Sequence, residues 1–228
     1  MRCDVAENVR KIGATAAFVR MRGVSNRESD EQFAMLRDEV VAGVLATLSP
    51  QAIAADPVLY GYRLLHDAVG RSNNKNVAST EALLKLLLET GRFPRVNLLV
   101  DCYNLVALRT RVSLGAHDIA HVAGGIHLRL TGGNEYFLPL NATGQKPVIS
   151  GEYAYIDDAN EILCRLEVRQ AEKTKITTTT TDCIMIAQGN VNVTSEALRT
   201  ATTAMVALVQ RFCGGQAELL YAPWDSSV

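Results

Sequence analysis

No run of apolar residues in this chain approaches the ~18 needed to cross a bilayer. The opening stretch, MRCDVAENVRKIG, carries acidic residues where a secretion signal would need an apolar core. Both absences point to a cytoplasmic protein with no membrane partner. Positive charge is not in excess either. The formal net charge is -1, which argues against autonomous binding to nucleic acid and against a DNA partner, because phosphate contacts need clustered Lys and Arg. The cysteines are five, at 3, 102, 164, 183 and 213, with long spacings and no CxxC pair. That excludes the usual zinc and disulfide frameworks and leaves reduced, mostly buried thiols. Glycine-rich phosphate loops, a Ser-His-Asp order and HExxH are all missing. No metal or cofactor is called for, and no internal repeat or Pro/Ser-rich linker divides the chain.

What is present is a core. The chain has 228 residues, 48% of them hydrophobic, enough for one substantial domain spanning 1–228. ATAAFVRMRGV, from Ala14 to Val24, has the composition of a strand. Ser29 and Gln32 form an S-x-x-Q capping box, and Phe33, Leu36, Val40, Val44 and Leu48 follow as one helical stripe that Ser49-Pro50 ends. Pro57 opens a second helix that runs to Gly70, and RSNNKN is a polar loop. Ser79 is placed to cap a third helix, with Glu81 and Lys85 one turn apart and Gly91 as its stop. Its leucines cover more than one face, which predicts burial between two layers.

Asn97 to Val100 is a short strand or lead-in, Asp101 stands at an N-cap position, and Tyr103 to Leu108 continues as helix. After Gly115 the pattern changes to short strands (IHLRL, EYFLPL, GEYAYI, EILCRLEV, DCIMIAQ) separated by TGG, NATGQKP and DDAN turns. Thr177 to Thr181 is expected to be a strand with a polar face. Ser195 to Phe212 returns to helical spacing, and AELLY is a last strand. Helices first and antiparallel strands second give an α+β class rather than α/β.

One block is more specific: NLLVDCYNLVALRTRVSLGAHD, from Asn97 to Asp118. It resembles the B3/B4 domain of the phenylalanyl-tRNA synthetase β chain, and more closely the free-standing proteins built of that domain alone. The resemblance extends, in order, through Tyr62-Arg63, Pro94 to Asn97, Val100 to Asn104, Gly115 to Asp118, Glu135, Gly151 to Tyr155, Cys164-Arg165 and Thr174 to Thr177. It covers roughly residues 10 to 190, and it implies a three-layer α+β domain with a β-sandwich-like second half. It also implies an editing-type hydrolase of mischarged aminoacyl-tRNA, with the tRNA 3' end or an amino-acid-like small molecule as partner. Two other readings stay open: a non-enzymatic tRNA, RNA or amino-acid binding module, and an enzyme acting on a non-tRNA aminoacyl compound. In the synthetase domain the G-A-x-D loop carries a histidine where this chain has Gly115, with His117 two residues on.

Several residues are candidates for chemistry. Asn104, or backbone amides near Gly115, would serve as an oxyanion hole, or Asn104 only satisfies its helix; His117 is a base or a satisfied polar loop residue. Asp118 brackets the loop, as a cap or as a substrate contact. The resemblance gives Glu135 the reading of a tyrosine hydroxyl; otherwise it is a turn carboxylate. Gly151 permits close backbone approach to a ligand. Cys164 beside Arg165 is a nucleophile or a strand residue lining the pocket. Lys175 and Thr177 are contacts for a phosphate or carboxylate, or an exposed strand edge. Two basic groups, Arg92, Arg95, Arg109 and Arg111, then Arg165, Arg169, Lys173 and Lys175, are an RNA contact or a solvated face.

Overall fold

A computed structural model describes residues 1–224. Among these residues nine strands form two sheets. The five-stranded sheet has the order β1-β4-β5-β6-β7, from β1 (Cys3–Val5), β4 (Ile126–Leu130), β5 (Tyr153–Asp157), β6 (Ile162–Arg165) and β7 (Arg169–Gln170). The four-stranded sheet has the order β3-β8-β2-β9, from β3 (Ser113–Asp118), β8 (Asp182–Gly189), β2 (Thr15–Arg22) and β9 (Gln216–Tyr221). All pairings are antiparallel except β1 with β4. The helices are α1 (Glu7–Lys11), α2 (Glu31–Leu45), α3 (Pro50–Ala55), α4 (Pro57–Ala68), α5 (Ser79–Thr90), α6 (Leu98–Thr110) and α7 (Ser195–Cys213). The class is α+β. None of the described helices is long and apolar enough to cross a membrane.

Strand alternation explains the layering. On β8, Cys183, Met185 and Ala187 pack with α6 and α7 residues such as Leu105, Met205 and Val209. Ile184 and Ile186 point the other way, into a second core with Phe18, Leu128, Tyr153, Tyr155 and Leu163. A two-residue period that is apolar on both faces marks a central strand, and β8 has neighbours on both edges. The result is three layers: helices, four-stranded sheet, five-stranded sheet. Each large side chain buried between them contributes about 1.5–3 kcal/mol. Phe33 of α2 meets Phe212 of α7 edge to face at 5.3 Å and ties the helical layer together.

The local signals are displaced in places. The cap of α2 is Asp30, whose carboxylate accepts from the Phe33 amide at 2.9 Å, rather than Ser29. A carboxylate is as good a cap and adds charge at the positive helix end. For α5 the cap position is Ala78 without a side-chain bond, and Ser79 instead pairs with the Ser113 hydroxyl. Asn97 caps α6, accepting from the Val100 amide, so 98–100 is helix rather than strand. Asp101 lies in the first turn, where it takes the Val96 amide. α2 ends at Leu45 with its cap at Ala46, short of Leu48, and Pro50 opens the separate helix α3 behind the Ser49 cap. EYFLPL is not a strand; it makes only isolated bridges, Tyr136 with Glu161 and Pro139 with Ala171. Thr177 to Thr181 is a turn, because the Thr180 hydroxyl accepts from the Thr177 amide and donates to Asp118. Gly115 to Asp118, the expected loop, is the second half of β3.

Candidate active site

The site follows from β3 and its register. Ser113, Gly115 and His117 share one face of the strand, opposite Gln188, Ile186 and Ile184 of β8. The alternate residues, Leu114 and Ala116, belong to the helical core. The face carrying Gly115 and His117 therefore looks toward the five-stranded sheet, where Tyr155, Cys164 and Gln170 are register partners across β5, β6 and β7. Between the two sheets, at the β3 edge, lies a cleft of about 160 Å³. Asn104 and Tyr103 of α6 complete its wall. A β-carbon built on Gly115 would meet nothing within 4 Å, so the position opens directly into free space.

His117 is buried, and its Nδ1 is 2.9 Å from the Thr174 hydroxyl. In the tautomer that carries its proton on Nδ1 and donates it to Thr174, Nε2 is the acceptor nitrogen. Burial pushes the imidazole pKa down to about 4, so the ring is neutral at pH 7. Cys164 also lines the cleft, but burial and the neighbouring Glu167 carboxylate push its thiol up to about 12. Cys164 is a wall residue of the cleft whose thiol is held in the protonated form. Among the described residues the Asn104 amide has no side-chain hydrogen bond, which leaves it available to a ligand.

Glu167 is the site residue that strand periodicity hides. Leu166 and Glu167 both have positive φ, 55° and 45°, in a tight turn closed by the Val168 amide donating to the Arg165 carbonyl. Two consecutive left-handed non-glycine residues are costly, on the order of 1–3 kcal/mol each. Leu166 is held in the second core, and the turn places Glu167 in the lining of the cleft. There it accepts from Tyr153 Oη at 2.5 Å and Gln188 Nε2 at 3.0 Å, and it contacts His66 Nε2 at 2.8 Å. Burial raises the Glu167 pKa, and the bond to Glu167 raises that of His66 against its own burial. Tyr155 in turn donates to Gln188 Oε1 at 2.7 Å, which fixes that amide. Tyr62, of the Tyr62-Arg63 pair, donates to the Gln188 carbonyl and accepts from the Ser113 amide, joining α4 to both strands.

The other candidates lie elsewhere. Glu135 is buried in its own turn, accepting from the Gly132 and Gly133 amides and from Arg129 at 2.7, 3.0 and 2.8 Å. Burial alone would raise its pKa, but the Gly132 amide and the Arg129 guanidinium hold it below the usual range. It does not line the cleft. Asp118 accepts from the Ala120 amide and the Thr180 hydroxyl. Gly151 sits at φ 88° in the turn before β5, its amide on the Thr131 carbonyl. Lys175 pairs with Glu172, and Thr177 belongs to the threonine turn. In the second basic group Arg165 is paired with buried Glu152, and Lys173 with Asp157 and Glu161. Those cations stabilise the fold instead of forming a free patch.

The B3/4 domain family model matches residues 62–214, which takes in the cleft and strands β3 to β8 but not β1, β2 or β9. No curated protein matches the chain. Among solved structures, the chain is similar to an N-terminal fragment of the phenylalanyl-tRNA synthetase β subunit from Pyrococcus horikoshii. The identity is 15% and the TM-score 0.49, over 95% of this chain and 50% of that one. The chain thus spans about half the length of that fragment.

Proposed function

Because the chain belongs to the B3/4 domain family, we propose that its cleft holds the aminoacyl end of a mischarged tRNA and hydrolyses the ester in trans. The observation that carries this reading is the convergence of Asn104, Gly115 and His117 on one cleft, with open space at Gly115 where a substrate can enter. An aminoacyl ester is already activated, so a positioned water and a hydrogen-bond donor for the carbonyl oxygen are sufficient chemistry. Neutral His117 accepts the water proton at Nε2 as the oxygen bonds to the carbonyl carbon. The Asn104 amide donates to the oxyanion. Collapse breaks the bond to the ribose oxygen, which takes the proton back from His117.

A second reading has an observation in its favour. A base with a pKa of about 4 is poorly matched to neutral pH, and a module that binds the same aminoacyl end without turnover has no need of one. An assay of deacylation across tRNAs charged with tyrosine, phenylalanine and other amino acids separates the two. The hydrolase reading expects selective deacylation, reduced about 10²-fold or more in His117→Gln and comparably in Asn104→Ala. Background rates throughout the panel would refute it and leave the binding module or a non-tRNA aminoacyl substrate.

A further inference from the structure

We propose that Glu167 anchors the protonated amino group of a carboxyl-blocked amino acid, so that the cleft accepts aminoacyl esters and amides and rejects free amino acids. The proposal concerns the same cleft and rests on the reading above for the class of ligand.

The charge inventory is one-sided. Fifteen residues line the cleft, and neither lysine nor arginine is among them. His117 is neutral, and burial keeps Tyr103, Tyr155 and Cys164 protonated. Glu167 is the one acidic residue in the lining, and any charge it carries is negative. A ligand carboxylate would find no lysine or arginine there, and the nearest cation, protonated His66, is already bonded to Glu167. An ammonium finds a carboxylate in a cleft that Tyr103 and Tyr155 also line, and aromatic rings beside a carboxylate are usual surroundings for a bound amine.

Hydrogen-bond accounting leaves a place for it. An ionised carboxylate has about four acceptor sites. Tyr153 and Gln188 occupy Oε2, His66 occupies one site on Oε1, and a second site on Oε1 remains. The proton on that His66 contact can be assigned. Asn73 Nδ2 donates to the Asp67 carboxylate and the Arg63 carbonyl, so Asn73 Oδ1 must face His66 Nδ1 and accept from it. His66 Nδ1 is therefore protonated, and the His66 Nε2–Glu167 Oε1 contact holds one further proton shared between them. The groups facing Glu167 are His66 and Tyr62 from α4, Tyr153 and Tyr155 from β5, Cys164 from β6 and Gln188 from β8. None of the others supplies a cation. An incoming ammonium favours the arrangement with the proton on His66 and the full negative charge on Glu167. The two left-handed residues that aim this carboxylate are the kind of local strain that persists where a side chain must be held in place.

Calorimetric titration at pH 6.5 with alaninamide and phenylalaninamide, their N-acetyl derivatives, and free alanine and phenylalanine tests the proposal. At least one amide is expected to bind tenfold or more tighter than both its acetylated form and its free acid. Glu167→Gln is expected to remove that preference. Because Glu167 lies inside a buried network, the wild-type ligand series decides the question if the variant does not fold. Equal affinity for amide and acetylated amide, equal affinity for the free acid, or no binding of either amide overturns the anchor. The two readings fail separately. Amine preference with no ester turnover would refute the hydrolase and keep the anchor; equal hydrolysis of free and N-acetylated aminoacyl esters would refute the anchor and keep the hydrolase.

Discussion

Replacing His117 by glutamine should change how the protein responds to acid, and the size of the change follows from the burial of the ring. In the folded protein the imidazole pKa is about 4, against 6.5 when unfolded, because burial disfavours the charged form. Between those values the unfolded chain binds a proton that the native state refuses, so stability rises with pH there and is lost as pH falls from 6.5 toward 4. At about 1.4 kcal/mol per unit, the full window is worth roughly 3 kcal/mol. Glutamine can still meet the Thr174 hydroxyl and does not titrate. Urea unfolding of both proteins at several pH values from 7.5 to 4 measures the difference, and all other titrations cancel in it. The advantage of wild type over His117→Gln should shrink by about 3 kcal/mol across the window. Parallel curves would refute the buried, neutral imidazole and with it the proton acceptor of the proposed mechanism.

Three further substitutions test the geometry. Gly115→Ala places a methyl group in open space, so stability should stay within about 0.5 kcal/mol while the occupied cleft loses deacylation or ligand affinity; thermal melts beside the deacylation assay check both. Glu135→Gln removes a carboxylate whose oxygens hold the Gly132 and Gly133 amides, and should cost about 1–3 kcal/mol in urea unfolding. It should leave the ratio of tyrosyl to phenylalanyl deacylation unchanged, and a shift in that ratio would return Glu135 to the site. Gly61→Ala drives a β-carbon to 1.9 Å from Asn190 Oδ1, whose amide also donates to the Val58 carbonyl. It should destabilise by about 1–3 kcal/mol, visible as a lower unfolding midpoint.

The helices and the central strands were legible because their periods are long or two-sided: the stripe of α2, the leucines of α5, and the alternation of DCIMIAQ. The cap of α2 was legible to within one residue and that of α6 only to within four, since Asp30 and Asn97 compete with nearby Ser29 and Asp101 and backbone geometry decides between them. Asn104, Gly115 and His117 were singled out through an ordered motif, and the register of β3 explains why Gly115 and His117 share a face. Glu167 was hidden because EILCRLEV has strand composition, and nothing like Asn-Gly announces the left-handed turn at Leu166 and Glu167. His66, Tyr153 and Gln188 come from α4, β5 and β8, so only the tertiary fold brings them together. Glu135 marked a real feature, a carboxylate after a double-glycine turn, but the turn itself takes up the carboxylate's hydrogen bonds. The five threonines were misleading because side-chain hydroxyl bonds outweigh strand preference there.

The most direct measurement is a crystal structure of the protein with a non-hydrolysable 3'-aminoacylamino-3'-deoxyadenosine. The account predicts the aminoacyl group in the cleft between the sheets, its carbonyl near Asn104 and His117 and its ammonium on Glu167. The ligand bound anywhere else, or seated there with its amine turned away from Glu167 and its carbonyl out of reach of Asn104 and His117, would contradict it.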